Sequence, residues 1–143
     1  MKMLLYTFRT FPWAQELSEL NIKLFIFGKL KEDLPRFLEL VNKVRPDIIV
    51  GIAKSPNRVS LFESRAVNIF NKIKKVSHDG TERYALDFPS GGLENIKVNN
   101  FYTDSFCNWT MYKIAESTKS KQQFIHIAEK DLDCLQDYLR KLL

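Results

Sequence analysis

A chain of 143 residues with 45% apolar side chains can bury a real core, and is short enough to do so as one domain spanning residues 1–143. No apolar run approaches the roughly 20 residues a membrane-spanning helix needs, and the net charge of +5 is not gathered into the long, aromatic-interleaved basic stripe that nucleic acid requires. Two cysteines make no disulfide framework at this length, and Met3 to Tyr6 is too short for a signal-peptide core, with Arg9 soon after. The chain therefore reads as a cytoplasmic protein with reduced thiols and with no nucleic-acid or membrane partner.

The first apolar run is Met3 to Phe8, the second Ile22 to Phe27, and the third Pro46 to Ala53. Continuous runs of this kind suit strands covered on both faces, as in a parallel sheet. Between the second and third, Leu34, Phe37, Leu38 and Val41 recur at helical spacing. Asp33 is the expected N-cap of that helix, Pro35 falls in its first turn and Pro46 helps to stop it. Val59 to Ile69 reads as extended. Phe70 to Val76 and Arg83 to Phe88 are expected to form a hairpin around the turn dipeptide Asp79-Gly80. Pro89-Ser90-Gly91-Gly92 marks a loop, and Ile96 to Tyr102 a further strand.

A helix follows over Cys107 to Ser117, with Cys107, Met111, Ile114 and Ala115 on one stripe. Phe124 to Ile127 reads as a short strand, and Leu132, Leu135, Leu139 and Leu142 define a closing amphipathic helix. Strands alternating with helices, without an internal repeat, argue for an α/β fold with a mostly parallel twisted sheet.

Three residues stand out chemically. Cys107 opens a helix, where the macrodipole and free N–H groups depress a thiol pKa, and Ser105 is a suitable N-cap. The same N–H groups suit an oxyanion hole, although Asp104 works against a thiolate. The alternative is a buried structural cysteine. His126, in Phe124-Ile125-His126-Ile127, is placed to exchange a proton with a thiol, or else is a satisfied core histidine. Glu63 either orients that imidazole or is a surface carboxylate. Cys134 reads as packing on the Leu-rich last helix, and His78, beside Asp79-Gly80, as exposed. The two histidines and two cysteines show no metal-ligand spacing, so neither metal nor cofactor is expected.

Several motifs occur together in order: Thr7-Phe8-Arg9-Thr10-Phe11, Arg45-Pro46-Asp47-Ile48, Glu63 with Ala66 and Asn68, Cys107-Asn108-Trp109-Thr110-Met111-Tyr112, and Phe124-Ile125-His126-Ile127. In these the chain resembles the pyroglutamyl peptidase I family, cysteine peptidases that remove an N-terminal pyroglutamyl residue. The resemblance implies a three-layer α/β sandwich of the phosphorylase/hydrolase-like type. It implies Cys107 as nucleophile, His126 as general base and acid, and Glu63 as the orienting carboxylate. Phe8 and Phe11 would line an apolar pocket, with Lys54, Ser105 and Phe106 as further substrate contacts. The expected partner is a small peptide or acyl-amide substrate, and self-association stays open.

The chain departs from the family pattern around that centre. It looks short, and the stretch from Phe88 to Asn100 is too brief for a strand–helix unit. The Gly-Gln-Ala-Gly-Gly-Arg loop is replaced by Ala53-Lys54-Ser55-Pro56-Asn57-Arg58, so Lys54 stands where a glutamine is expected and loop glycines are gone. Pro12-Trp13 replaces a glycine pair, and Tyr102-Thr103-Asp104 replaces Ala-Gly-Thr. Lost glycines limit backbone approach to a substrate, and Lys54 favours a substrate carrying a carboxylate. The rival reading is a degenerate relative that binds peptide termini or small molecules without turnover. A weaker one is RNA binding on the basic surface.

Overall fold

The computed structural model describes residues 1–87, 93, 96–103 and 105–143. The loop expected over 89–92, the strand end at Phe88 and the influence of Asp104 fall outside the described residues.

Among the described residues the main sheet has six strands in the order β2-β1-β3-β8-β4-β7. They are β1 (Met3–Phe8), β2 (Lys23–Phe27), β3 (Ile48–Lys54), β4 (Leu61–Glu63), β7 (Lys97–Asn99) and β8 (Lys121–Ile127). β2, β1, β3 and β8 run parallel, while β4 is antiparallel to β8 and carries β7 parallel to itself. All six residues of β1 are buried, as a central strand covered on both faces demands. β2 departs from that expectation. It is an edge strand on which only Phe27 is buried, and Ile26 is left 46% exposed.

The pleat sends alternate residues to two apolar layers. Leu5, Val50, Ile52, Ile125 and Ile127 meet α1 (Ala14–Ser18), which the apolar runs did not disclose, and α4 (Leu132–Leu142). Leu4, Tyr6, Phe8, Ile49, Ala53 and Phe124 meet α2 (Leu30–Val44) and α3 (Phe106–Ser117). The result is the three-layer α/β sandwich with a mostly parallel sheet. Gly51 of β3 leaves space for two rings on the second face: a Cβ there would collide with Tyr6 and Phe124. None of the helices described is long and apolar enough to cross a membrane.

Four local expectations are corrected. Arg83–Ala85 (β6) pairs with β5 (Arg65–Val67), not with residues 70–76. Phe70 and Lys74 close on each other by backbone bonds of 2.6 and 3.0 Å, with Asn71 and Lys72 at φ of 52° and 69°. Asn68 then fastens the excursion: its Nδ2 donates to Ser77 O at 2.7 Å and its Oδ1 accepts from Ser77 N at 2.8 Å. The Asp79-Gly80 turn lies within the long connection between β5 and β6 and not at a tight hairpin between residues 70–76 and 83–88.

α2 begins at Leu30, one turn before the expected start, so Asp33 is not its N-cap and Pro35 lies in the second turn. Asp33 still caps, from inside the helix: its Oδ2 accepts from Gly28 N at 2.7 Å and Lys29 N at 2.9 Å. Cys134 is exposed rather than packed, because Leu132, Leu135 and Leu139 carry the buried stripe of α4 and it lies off that stripe.

The two backbone bonds hold the Asp33 carboxyl below its ordinary 3.8, with Arg36 adding to the effect. A depressed carboxyl stabilises the fold at pH above its unfolded value and loses that contribution as pH falls through the folded value. Asp33→Ala is therefore expected to be less stable than the wild type at pH 7. The difference between their urea midpoints should shrink as pH is lowered below 3.8.

Candidate active site

The carboxyl ends of β1, β3 and β8 lie side by side, the edge at which open parallel sheets bind ligands. β8 aligns His126 with Ala53 of β3 and with Leu61 of β4. Phe124 and His126 alternate with the core residues Ile125 and Ile127, so the imidazole shares the face of the sheet that α3 covers. Its ring centroid stands 5.0 Å from that of Phe124.

Glu63 ends β4, one residue past the stretch paired with β8, and is only 2% exposed. A carboxylate so buried needs partners for both oxygens. Oε1 lies 2.9 Å from His126 Nδ1, and Oε2 accepts from Asn99 Nδ2 at 3.0 Å. Asn99 is the residue of β7 in register with Glu63. Its place follows from strand pairing, which no local sequence signal announces.

α3 starts at Phe106, with Ser105 as N-cap, its Oγ accepting from Cys107 N at 3.3 Å. Thr103 Oγ1 lies 2.9 Å from Ser105 Oγ and continues the network. Cys107 is 3% exposed. Burial pushes its thiol up to about 12, against the pull of the Ser105 hydrogen bond, and the Glu63 charge adds to the rise. The expectation of a depressed thiol pKa is thus reversed. Desolvation of a thiolate in this packed position outweighs the helix N-terminus, and the resting group at neutral pH is the thiol.

The neighbouring Asn108 is fully buried and ties the start of α3 to β5. Its Oδ1 accepts from Val67 N at 2.8 Å, while Nδ2 donates to Val67 O at 2.9 Å and to Ile69 O at 2.8 Å. The Cys-Asn pair is visible in the sequence, but the task of Asn108 is not. Its adjacency to Cys107 was the signal available.

Cys107 and His126 border one cavity of about 310 Å³, together with Phe8, Phe11, Ala53, Lys54, Ser105 and Phe106. Thr10, Pro56 and Thr103 complete its rim. The structure thus brings every residue singled out for catalysis or substrate contact to this cavity, except Glu63, which stands behind the imidazole. Among the described residues no hydrogen bond joins Cys107 to His126. Phe8 and Phe106 meet edge to face, with centroids 4.9 Å apart. Lys54 and Pro56 also border an adjoining cavity of about 940 Å³ that contains Trp13, Arg58 and Lys130, and Lys54 Nζ lies 5.9 Å from the Trp13 ring centre. Among the described residues no group of three or more His, Cys, Asp or Glu is placed to hold a metal ion.

Two measurements follow. Asn108→Ala strands the buried N–H and C=O of Val67 and the part-buried C=O of Ile69, and is expected to cost about 3 kcal/mol of stability in urea unfolding. In timed iodoacetamide labelling at pH 8, read by mass spectrometry, exposed Cys134 should react at least about tenfold faster than Cys107.

No protein-family model matches the chain, and no curated protein matches it in sequence. Solved structures do match it closely in shape. Pyroglutamyl peptidase I of Bacillus amyloliquefaciens superposes with a TM-score of 0.74 at 18% identity, over 96% of this chain and 92% of that one. Pyrrolidone carboxyl peptidase of Thermus thermophilus gives 0.76 at 14% identity, over 96% of each chain. That of Thermococcus litoralis gives 0.68 at 17% identity, over 100% of this chain and 97% of that one. The chain has a divergent form of the pyroglutamyl peptidase I fold.

Proposed function

We propose that this protein is a cysteine hydrolase that cleaves an N-terminal pyroglutamyl group or a related small acyl amide. The observation that carries the reading is the 2.9 Å contact between Glu63 and His126, with the imidazole bordering the cavity that holds Cys107. The peptidases whose fold it shares supply the reaction class.

In this reading the substrate acyl group enters between Phe8, Phe11 and Phe106. Cys107 attacks its carbonyl carbon as His126 takes the thiol proton, which suits a thiol that is neutral at rest. Glu63 holds Nδ1 of the ring as donor and stabilises the charged imidazolium, and Asn99 holds Glu63. Negative charge on the carbonyl oxygen is met by N–H groups of the first turn of α3, each such donor being worth about 3 kcal/mol. His126 then returns the proton to the leaving amine, and a thioester remains on Cys107. A water, deprotonated by His126, attacks the thioester. Cleavage of its C–S bond releases the acid, and the proton returns to sulfur. Lys54, at the rim, adds a cation where a neutral lactam would sit, so substrates with a carboxylate near the acyl group are favoured.

A second reading, a catalytically silent relative that binds peptide termini or small acyl compounds, is favoured by the buried neutral thiol and by Lys54 itself. One experiment separates the two. With pyroglutamyl and glutamate-derived anilide reporters, Cys107→Ala is expected to lose at least about 10³-fold in kcat/KM, while Cys134→Ala keeps wild-type activity. Equal turnover by wild type and Cys107→Ala would remove the hydrolase reading. Saturable binding of the same compounds without wild-type turnover would establish the silent one.

A further inference from the structure

On the outer side of α3, away from Cys107, lies a second groove of about 530 Å³. Leu30 and Leu34 of α2, Trp109 of α3, and Phe70 and Val76 of the 70–76 strap form its apolar walls. Lys31, Lys74, Lys75 and Lys113 stand around it, and among the described residues no carboxylate borders it. Lys113 has a counter-charge beside the groove, Glu116 at 3.5 Å. The sequence scatters these cations over more than eighty positions, and the fold collects them.

Two independent features make this more than a solvated basic face. The lysines surround apolar walls of a size that suits a small molecule, since ligand clefts commonly span roughly 300–1,000 Å³. The strap that supplies Lys74 and Lys75 is also held in a set shape: Phe70 and Lys74 exchange backbone bonds, and Lys72 adopts a positive φ that costs a side-chain-bearing residue energy. Cations that border one groove without a facing carboxylate attract an anion placed among them.

We infer that this groove binds a soluble organic anion with an apolar body and a phosphate or carboxylate head. The body lies on Leu30, Leu34, Phe70 and Trp109, and the head meets the lysines. The inference is independent of the chemistry assigned to Cys107.

Trp109 reports on the groove once the other tryptophan is removed. In the full chain carrying Trp13→Phe, octyl phosphate below its micellar concentration should shift Trp109 emission saturably. Octanol and inorganic phosphate, each holding half of the recognised chemistry, should bind at least about tenfold more weakly. Lys74→Ala/Lys75→Ala should weaken octyl phosphate about tenfold, and Lys74→Arg/Lys75→Arg should restore it. Arg58→Ala/Lys130→Ala, in the other cavity, should change nothing. Octanol binding as tightly as octyl phosphate, no saturable response, or full binding in the double alanine variant would overturn the proposal. So would a response only to phosphatidylglycerol vesicles, which would make the groove a membrane contact.

Discussion

A carboxylate 2% exposed in the centre of a small protein is costly unless its oxygens are satisfied, and at Glu63 this condition organises the architecture around it. One oxygen needs the His126 ring and the other needs Asn99. Both contacts require β4 to lie between β8 and β7, antiparallel to the first and parallel to the second. β4 and β7 run opposite to the other four strands, and the adjacency of β4 to β8 is therefore what lets a residue at its end meet a residue near the end of β8. Without it, the carboxylate and the imidazole would sit on strands with no shared edge.

The proposed nucleophile shows two physical effects in opposition. The first turn of α3 and the Ser105 hydroxyl favour a thiolate, whereas burial and the nearby Glu63 charge favour the thiol. Burial is the largest of these, so the balance falls on the neutral side. Asn108 contributes to the burial, because its three bonds draw the start of α3 against β5. A thiol held neutral by burial is a poor nucleophile toward passing electrophiles, and in the proposed reaction it would need the imidazole to take its proton.

Five of the lysines border one or the other of two cavities. Lys54 borders the apolar cavity that holds Cys107 and His126, with its Nζ 5.9 Å from the Trp13 ring centre. Lys31, Lys74, Lys75 and Lys113 stand together over an apolar floor on the far side of the same helix. A net charge of +5 says nothing about this division, which comes from the way the 70–76 strap folds over α2 and α3.

The helical spacing of α2 and α4, the buried runs of β1 and β3, the Ser105 cap and the candidacy of Cys107, His126 and Glu63 for one shared site were all legible in the sequence, because each rests on local periodicity or on an ordered set of motifs. The pairing of β5 with β6, the exposure of β2 and Cys134, and the tasks of Asn99 and Asn108 were not. Each depends on which residue lies across a strand edge or beneath a neighbouring helix. The thiol pKa belongs with these: the helix start that lowers it is a local feature, but the burial that raises it is a property of the whole packed chain. The sequence by itself determined which groups are present and in what order. Only the tertiary structure decided which of them lose their water and which share a cavity, because desolvation and strand pairing join positions far apart along the chain.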